Sequence, residues 1–403
     1  MVEVAILGYG VVGSGTVEVL EKNAARISKN AGARVQVKSI LEIRDIPDSP
    51  HKDKFVKTFE EIENDEDISV VAEVIGGVGA ALDYTRRCLK AGKSVVTSNK
   101  ELVAEHGFEL MKLAAENGVN YLFEASVGGG IPVIRPIAQC IAGNQINEIY
   151  GILNGTTNYI LSEMEQKGAD FKDALADAQK KGYAEADPTA DIEGHDACRK
   201  ICILSSLAFG RHIYPEQVPT MGISTITSDD MRFASDLGYK IKLLGRSRAI
   251  GDKVAAYVQP HLISNDNLLS GVNGVMNGVV IRGNAVGDVM FYGAGAGRLP
   301  TASAVTADII DAVKHRYARK LISWGEGGDE FVDDPIKLET AWYVRTDVGR
   351  DKINREFGDV VFASSSDNNM VAFKTGSMNG KIIHDLLNRG ITALSLFRIL
   401  GDH

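Results

Sequence analysis

The chain opens with a short apolar run, Val2-Glu-Val-Ala-Ile-Leu7, that passes directly into Gly8-Tyr-Gly-Val-Val-Gly13. A G-x-G-x-x-G after a strand pattern and at the head of a helical one constrains the fold more than any other feature here. Gly8 permits the tight turn, Gly10 lets a pyrophosphate approach the backbone, and Gly13 lets the helix pack closely on the strand. The unpaired N–H groups of the first helical turn, Val11 and Val12 among them, then face an anion together with the positive end of the helix dipole. The implied ligand is a dinucleotide.

The pattern after this motif alternates. A helix runs to about Asn30, and strand patterns follow over 35–43, 70–75, 94–97 and 120–124. Helical patterns over 83–91 and 101–117 lie between them. Alternation of this kind predicts a Rossmann-type doubly wound parallel sheet, covered on both faces. From Pro132 the rhythm changes. Helices over 133–141, 157–166, 171–181 and 195–209 surround one short strand, and strands dominate from 240 to 289, with turn signals at Ser264-Asn-Asp-Asn, Asn273-Gly and Asn277-Gly. A long helix over 301–322 is expected to return to the first unit. Gly325-Glu-Gly-Gly-Asp reads as a linker, and the remainder has the order βαββαβ, the ferredoxin-like arrangement. The expected layout is a dinucleotide-binding domain over 1–132 plus 300–324, a mixed α/β substrate and dimerisation domain over 133–299, and an ACT-like domain over 335–403.

Composition excludes several classes. A formal net charge of −9 argues against nucleic acid as the main partner. No window approaches the ~20 apolar residues that span a bilayer, and the start lacks a signal-peptide pattern. The cysteines are Cys88, Cys140, Cys198 and Cys202, without a Cys-x-x-Cys pair, which suits a reducing compartment. A cytoplasmic protein with a small-molecule substrate is expected, with no nucleic-acid or membrane partner.

Three segments carry the chemistry. The second strand ends Leu41-Glu-Ile-Arg-Asp45. An acid at this tip would hold a ribose 2′-hydroxyl, as in NAD; an arginine would pair with a 2′-phosphate, and Arg44 favours NADP. Thr97-Ser98-Asn-Lys100 follows a strand, at the carboxyl edge of the sheet where ligands bind. Finally, the stretch from Ala178 to Lys200 strings Glu185, Asp187, Asp191, Glu193 and Asp196 ahead of Lys200. Asp196 and Lys200 are four apart and share a helix face. Lys200 is followed by Ile-Cys-Ile-Leu, so the helix is largely buried and a charged lysine on it needs partners.

This last stretch, A-x-x-x-G-Y followed by D-P-x-x-D-I-x-G-x-D-x-x-x-K, resembles the signature of homoserine dehydrogenases. Gly8 to Gly13, Thr97 to Lys100, Glu124 to Pro132, Asn154-Gly-Thr-Thr-Asn158, Tyr292 to Gly297 and Pro300-Thr-Ala-Ser agree in the expected order. The resemblance covers about residues 1 to 325. It implies reversible, NAD(P)H-dependent reduction of L-aspartate 4-semialdehyde to L-homoserine, a step toward threonine and methionine. It further implies Lys200 as proton donor aided by Lys100, Glu185 on the substrate ammonium, and Tyr183, Thr156, Asp191 and Asp196 around the substrate. Gly297 is expected near the nicotinamide. Glu124, Val127, Gly129 and Ile131 match a site for a monovalent cation such as Na+, and a homodimer or homotetramer is expected. The tail resembles an ACT domain only in its order of elements, so control by threonine and a dimerisation role stand side by side. A related amino-acid or aldehyde dehydrogenase would share the nucleotide fold, but an acylating aldehyde enzyme would need a nucleophilic cysteine. A nucleotide-sensing regulatory protein with an ACT-like tail would not need the two lysines.

Overall fold

The computed structural model describes residues 1–320, 322–366 and 370–401. The first sheet is built from β1 (Val2–Leu7), β2 (Val35–Leu41), β3 (Phe55–Val56), β4 (Ile68–Glu73), β5 (Ser94–Thr97) and β6 (Tyr121–Leu122), with α1 (Val11–Lys22), α2 (Ala24–Ala31), α3 (Glu60–Glu63), α4 (Gly79–Lys90) and α5 (Lys100–Glu116) as connections. All neighbours are parallel, in the order β3-β2-β1-β4-β5-β6. Val4, Ala5, Ile6 and Leu7 are wholly buried, as a strand covered on both faces requires. The chain leaves β1 toward β2 on one side and reaches β4 on the other. A crevice therefore opens at the carboxyl ends of these strands, where such sheets bind ligands.

The second sheet begins at β7 (Ile146–Ile152). After it come α6 (Gly155–Lys167), α7 (Phe171–Lys180), α8 (Thr189–Ile192), α9 (His195–Phe209) and α10 (Ser228–Asp236), then β8 (Tyr239–Ile250), β9 (Lys253–Ser264), β10 (Met276–Gly283), β11 (Gly287–Ala294) and the returning helix α11 (Arg298–Lys314). The tail follows as β12 (Trp342–Thr346), α12 (Arg350–Phe357), β13 (Val361–Phe362), β14 (Val371–Lys374), α13 (Gly380–Leu387) and β15 (Ser395–Leu400). Its βαββαβ order is the one expected, and its strands lie as β15-β12-β14-β13. β15 also pairs in parallel with β9, with Arg398 opposite His261, so the tail extends the sheet of the second unit.

Several expected elements differ. The first helix breaks at Asn23 into α1 and α2. The helix expected over 133–141 is a π turn over Pro136–Cys140. The backbone N–H groups of Val133, Ile134 and Arg135 donate to the Glu124 carboxylate instead of opening a longer helix. Asn277-Gly278 is no turn: it lies inside β10, opposite Gly293 and Tyr292. A Cβ on Gly278 would come within 3.0 Å of both Leu269 and Met290, so this glycine serves close packing. α11 ends at Lys314 rather than 322, and the parts of the expected segments that fall on 321, 367–369 and 402–403 lie outside the described residues. α11 does return to the first unit: a Cβ on Gly15 of α1 would stand 2.7 Å from the Arg298 carbonyl. Among the described residues, no helix is long and apolar enough to cross a membrane. The four cysteines are free, with Cys140 exposed and the others buried.

Candidate active site

The glycine turn takes the shape its sequence requires. Gly8 has φ +98°, and a Cβ on Gly13 would lie 1.9 Å from the Gly8 carbonyl oxygen. Gly10 begins α1 with no side chain capping the helix, and nothing stands within 4 Å of where its Cβ would be. The first-turn N–H groups of Val11 and Val12 thus border open space, and these residues fit a dinucleotide pyrophosphate. We expect Gly13→Ala to weaken cofactor binding by about tenfold or more, because the turn must open to admit the methyl group. Fluorescence titration with NADPH measures this.

The adjoining cleft, about 420 Å³, is lined by Gly8, Tyr9, Gly10, Glu42, Arg44 and Ile75 among others. Glu42 is buried at the tip of β2. Its carboxylate accepts from the Tyr9 N–H at 3.2 Å and from Arg44 Nε and Nη2 at 2.9 and 2.8 Å. The Arg44 side chain is the first cause that holds the Glu42 carboxyl down to about 2. Lys57 supports the same tip from behind, bonding the Arg44 carbonyl and the Asp45 carboxylate, each at 2.9 Å.

Lys100 and Lys200 converge. Thr97, buried at the end of β5, donates its hydroxyl to Glu73 Oε2 at 2.6 Å and accepts from the Asn99 N–H at 2.9 Å. Asn99 Oδ1 accepts from the Leu102 N–H and caps α5, so Lys100 is the first residue of that helix; Ser98 is half-buried between these positions. Lys200 projects from α9, one turn after Asp196. Lys100 Nζ lies 2.6 Å from Asp196 Oδ1, and Lys200 Nζ lies 2.7 Å from Asp196 Oδ2. Lys200 also donates to the Leu153 carbonyl at 2.7 Å. An ammonium has three N–H groups, and among the described residues no acceptor takes the third. An ion pair between Arg199 and Glu101, 2.9 Å, ties α9 to α5 beside this centre.

The two lysines are electrostatically unequal. Burial lowers the pKa of Lys200, and the Lys100 charge adds to that, against the pull of Asp196; the net shift is downward. Burial acts on Lys100 in the same sense, but attraction to Asp196 outweighs it and the net shift is upward. Burial would raise the Asp196 carboxyl, but the two ammonium groups hold it far below the usual range. The Lys100 side chain keeps 39% of its exposure and that of Lys200 only 9%, so the more deeply buried amine is the one that gives up its proton more readily.

The other expected residues are arranged in groups. Asp191 joins the centre through Asn154, whose Nδ2 donates to Asp191 Oδ1 at 2.7 Å and to Asp196 Oδ2 at 2.9 Å. Thr156 donates to the Tyr183 carbonyl at 2.7 Å, and the Tyr183 ring packs on Tyr159. Glu185 is exposed on the loop after α7. Gly297 starts α11 with φ +131°. Gly129 meets the same loop, since its Cβ would lie 2.5 Å from the Gly295 carbonyl oxygen, and Gly130 N–H donates to the Ala294 carbonyl. Val127 and Ile131 are buried beside it. The Glu124 carboxylate is turned to the 133–135 backbone, where donors at 2.7, 2.9 and 2.9 Å occupy both oxygens. These bonds give the carboxylate a structural task and leave it a lone pair to spare; a cation in this loop would also meet backbone carbonyl oxygens. Glu73, Asn99 and Asn154 were given no role in the sequence. Asn99 and Asn154 lie in segments that carry the resemblance, and an asparagine followed by Gly-Thr-Thr at the head of a helical pattern reads locally as a helix cap.

Comparison with known proteins agrees with this geometry. A family model described as the homoserine dehydrogenase NAD-binding domain matches residues 8–124, and one described as homoserine dehydrogenase matches 132–310. The homoserine dehydrogenase of Pseudomonas aeruginosa is 48% identical over 353 residues, 85% of this chain and 81% of that protein; that of Bacillus subtilis is 41% identical over 318 residues, 78% of this chain and 73% of that protein. The crystal structure of a homoserine dehydrogenase from Thiobacillus denitrificans superposes with a TM-score of 0.90 at 35% identity, covering 99% of this chain and 98% of that one. A hyperthermophilic archaeal homoserine dehydrogenase in complex with NADPH matches at a TM-score of 0.65 and 29% identity, over 77% of this chain and 97% of that one. With family models matched over residues 8–124 and 132–310, the chain belongs to the homoserine dehydrogenase family, the NAD(P)-dependent oxidoreductases that reversibly reduce L-aspartate 4-semialdehyde to L-homoserine.

Proposed function

We propose that Lys200 and Lys100 are the catalytic residues of this reaction, working as a pair held by Asp196. The observation that carries the reading is the shared carboxylate, which brings amines a hundred positions apart to one point beside the crevice of the first sheet. When bound, the nicotinamide supplies the hydride in the reducing direction and accepts it in the oxidising one. The protein's task is then one proton and one developing charge. Lys200 directs its uncommitted N–H at the carbonyl oxygen and gives it the proton; in homoserine oxidation the neutral amine takes it back. Lys100, more firmly charged, stabilises the alkoxide. Glu185 holds the substrate ammonium, and Tyr183, Thr156 and Asp191 shape the pocket around it. Absorbance at the NADPH band with homoserine as substrate, run beside a Lys200 variant, tests the assignment.

The cofactor site is assigned to Gly8, Gly10, Val11, Val12 and Gly13 for the pyrophosphate, with Thr97, Ser98, Lys100 and Gly297 toward the nicotinamide end. Arg44 favours NADP. Its guanidinium sits at the mouth of the cleft, and it neutralises the Glu42 carboxylate that would otherwise repel a 2′-phosphate. We expect Arg44→Ala to lower the kcat/KM ratio of NADP over NAD by about tenfold or more, since a charged hydrogen bond is lost and a bare carboxylate is left. An unchanged ratio would remove Arg44 from the role. A monovalent cation such as Na+ is assigned to Glu124 and the carbonyl oxygens of Val127, Gly129 and Ile131. The protein is assigned to the cytoplasm as a homodimer or homotetramer, and the tail to dimerisation or effector binding.

A further inference from the structure

We propose that Asn154 is a positioning residue for the proton transfer, fixing the Asp196 carboxylate so that each of its oxygens serves one lysine. The inference rests on the assignment of Lys200 as the proton-transfer group. Asn154 is buried between β7 and α6, and its side-chain amide has a task for every polar atom it carries. Oδ1 accepts from the Thr157 N–H at 2.8 Å, which caps α6. The two Nδ2 hydrogens reach two different carboxylates, Asp191 Oδ1 at 2.7 Å and Asp196 Oδ2 at 2.9 Å. Oδ2 of Asp196 thus accepts from Asn154 and Lys200 together, while Oδ1 is left to Lys100. The preceding residue, Leu153, offers its carbonyl to Lys200 at 2.7 Å. Leu153 and Asn154 therefore hold the Lys200 ammonium and its counter-ion from one backbone turn.

The arrangement has a clear physical consequence. A carboxylate with ammonium groups on both oxygens can rotate toward either one, and rotation would change which lysine is better stabilised. The amide of Asn154 is neutral, so it orients Asp196 without adding to the charge balance of the centre. It also joins Asp191 to Asp196 through donors, so the acids stand close together with a dipole between them. A helix cap needs none of this. Serine and aspartate cap helices about as well as asparagine, yet neither offers two N–H groups to two carboxylates.

That difference supplies the test. In Asn154→Ser the cap survives and the bridge is lost; kcat should fall by about tenfold or more, the loss expected from one charge-assisted hydrogen bond. Asn154→Asp keeps the cap and the shape but sets a third negative charge beside Asp191 and Asp196. Lys200 then holds its proton more tightly, and the pH at which homoserine oxidation is half-maximal should rise by about one unit. Thermal midpoints of both variants report whether the chain stays folded, so that a change in kcat or pH profile in folded protein is read as an effect on the centre. If Asn154 only caps α6, both variants keep the wild-type kcat and pH profile, and the proposal is overturned. Retained turnover in Lys200→Met would instead overturn the reading beneath it; an inactive Lys200→Met beside silent Asn154 variants overturns this inference alone.

Discussion

Replacing Lys200 by methionine should lower kcat for homoserine oxidation by about 10²–10⁴-fold while NADPH still binds, because general acid–base help of this kind is worth that much. Methionine keeps the length and apolar body of the lysine stem, so the buried interior of α9 stays filled. Asp196 is not stranded either: Lys100 and Asn154 remain on it at 2.6 and 2.9 Å. The variant therefore separates chemistry from folding, with stopped-flow turnover for the first and NADPH fluorescence for the second. Turnover within a few-fold of wild type would refute the role. The pH dependence of the unaltered protein gives a companion test. Burial and the neighbouring Lys100 charge depress the Lys200 pKa below the ordinary 10.5. Homoserine oxidation needs the neutral amine, so its rate should rise with pH through a midpoint below 10.5. Semialdehyde reduction needs the ammonium and should fall over the same interval.

The second large effect concerns stability. Asp196→Asn leaves two ammonium groups facing one another with only the Asp191 carboxylate, one amide removed, to offset them. Breaking a buried ion pair costs ~3–5 kcal/mol. We expect the lower end, about 3 kcal/mol near neutral pH, because Lys100 keeps 39% of its side-chain exposure and water screens part of the repulsion. The sign with pH follows from linkage. In the variant the folded-state pKa of Lys200 falls further below its unfolded value and Lys100 loses the rise that Asp196 gave it, so the unfolded chain binds more protons over that interval and stability rises with pH. The penalty should therefore be larger at pH 7 than at pH 10, as read from denaturant midpoints at the two pH values. An equal or opposite pH trend would show that Asp196 is not the counter-ion of this pair.

How far the sequence reached depended on how local each feature was. The Gly8–Gly13 turn was legible because three glycines at fixed spacing, after an apolar strand, satisfy a steric need confined to six residues; the structure meets it with Gly13 against the Gly8 carbonyl oxygen. The parallel sheet was legible from strands apolar on both faces, and the Asp196–Lys200 pair from the helical period. The βαββαβ order of the tail was also visible, since each element announces its own period. Other features were out of reach. The Glu124 side chain reads as a ligand by its motif, and only the folded chain turns it onto three backbone N–H groups. Glu42 and Arg44 read as rival signals for two cofactors, and the structure makes them one ion pair. Asn277-Gly278 reads as a turn until its neighbours place it inside a strand.

The sequence by itself determined the local geometries: the dinucleotide turn, the alternation that makes a doubly wound sheet, and one helix that carries an acid and a lysine on the same face. Tertiary structure decided what no local period encodes. It set Lys100 from the start of α5 against Asp196 of α9, placed Asn154 of the β7–α6 junction between two carboxylates, and joined β15 to β9 so that the tail continues the second sheet. The physical reason is range. Turns and helix faces arise from sterics and hydrogen bonds among near neighbours, whereas a shared buried carboxylate exists only once burial has brought distant segments together and stripped away the water that would otherwise have kept their charges apart.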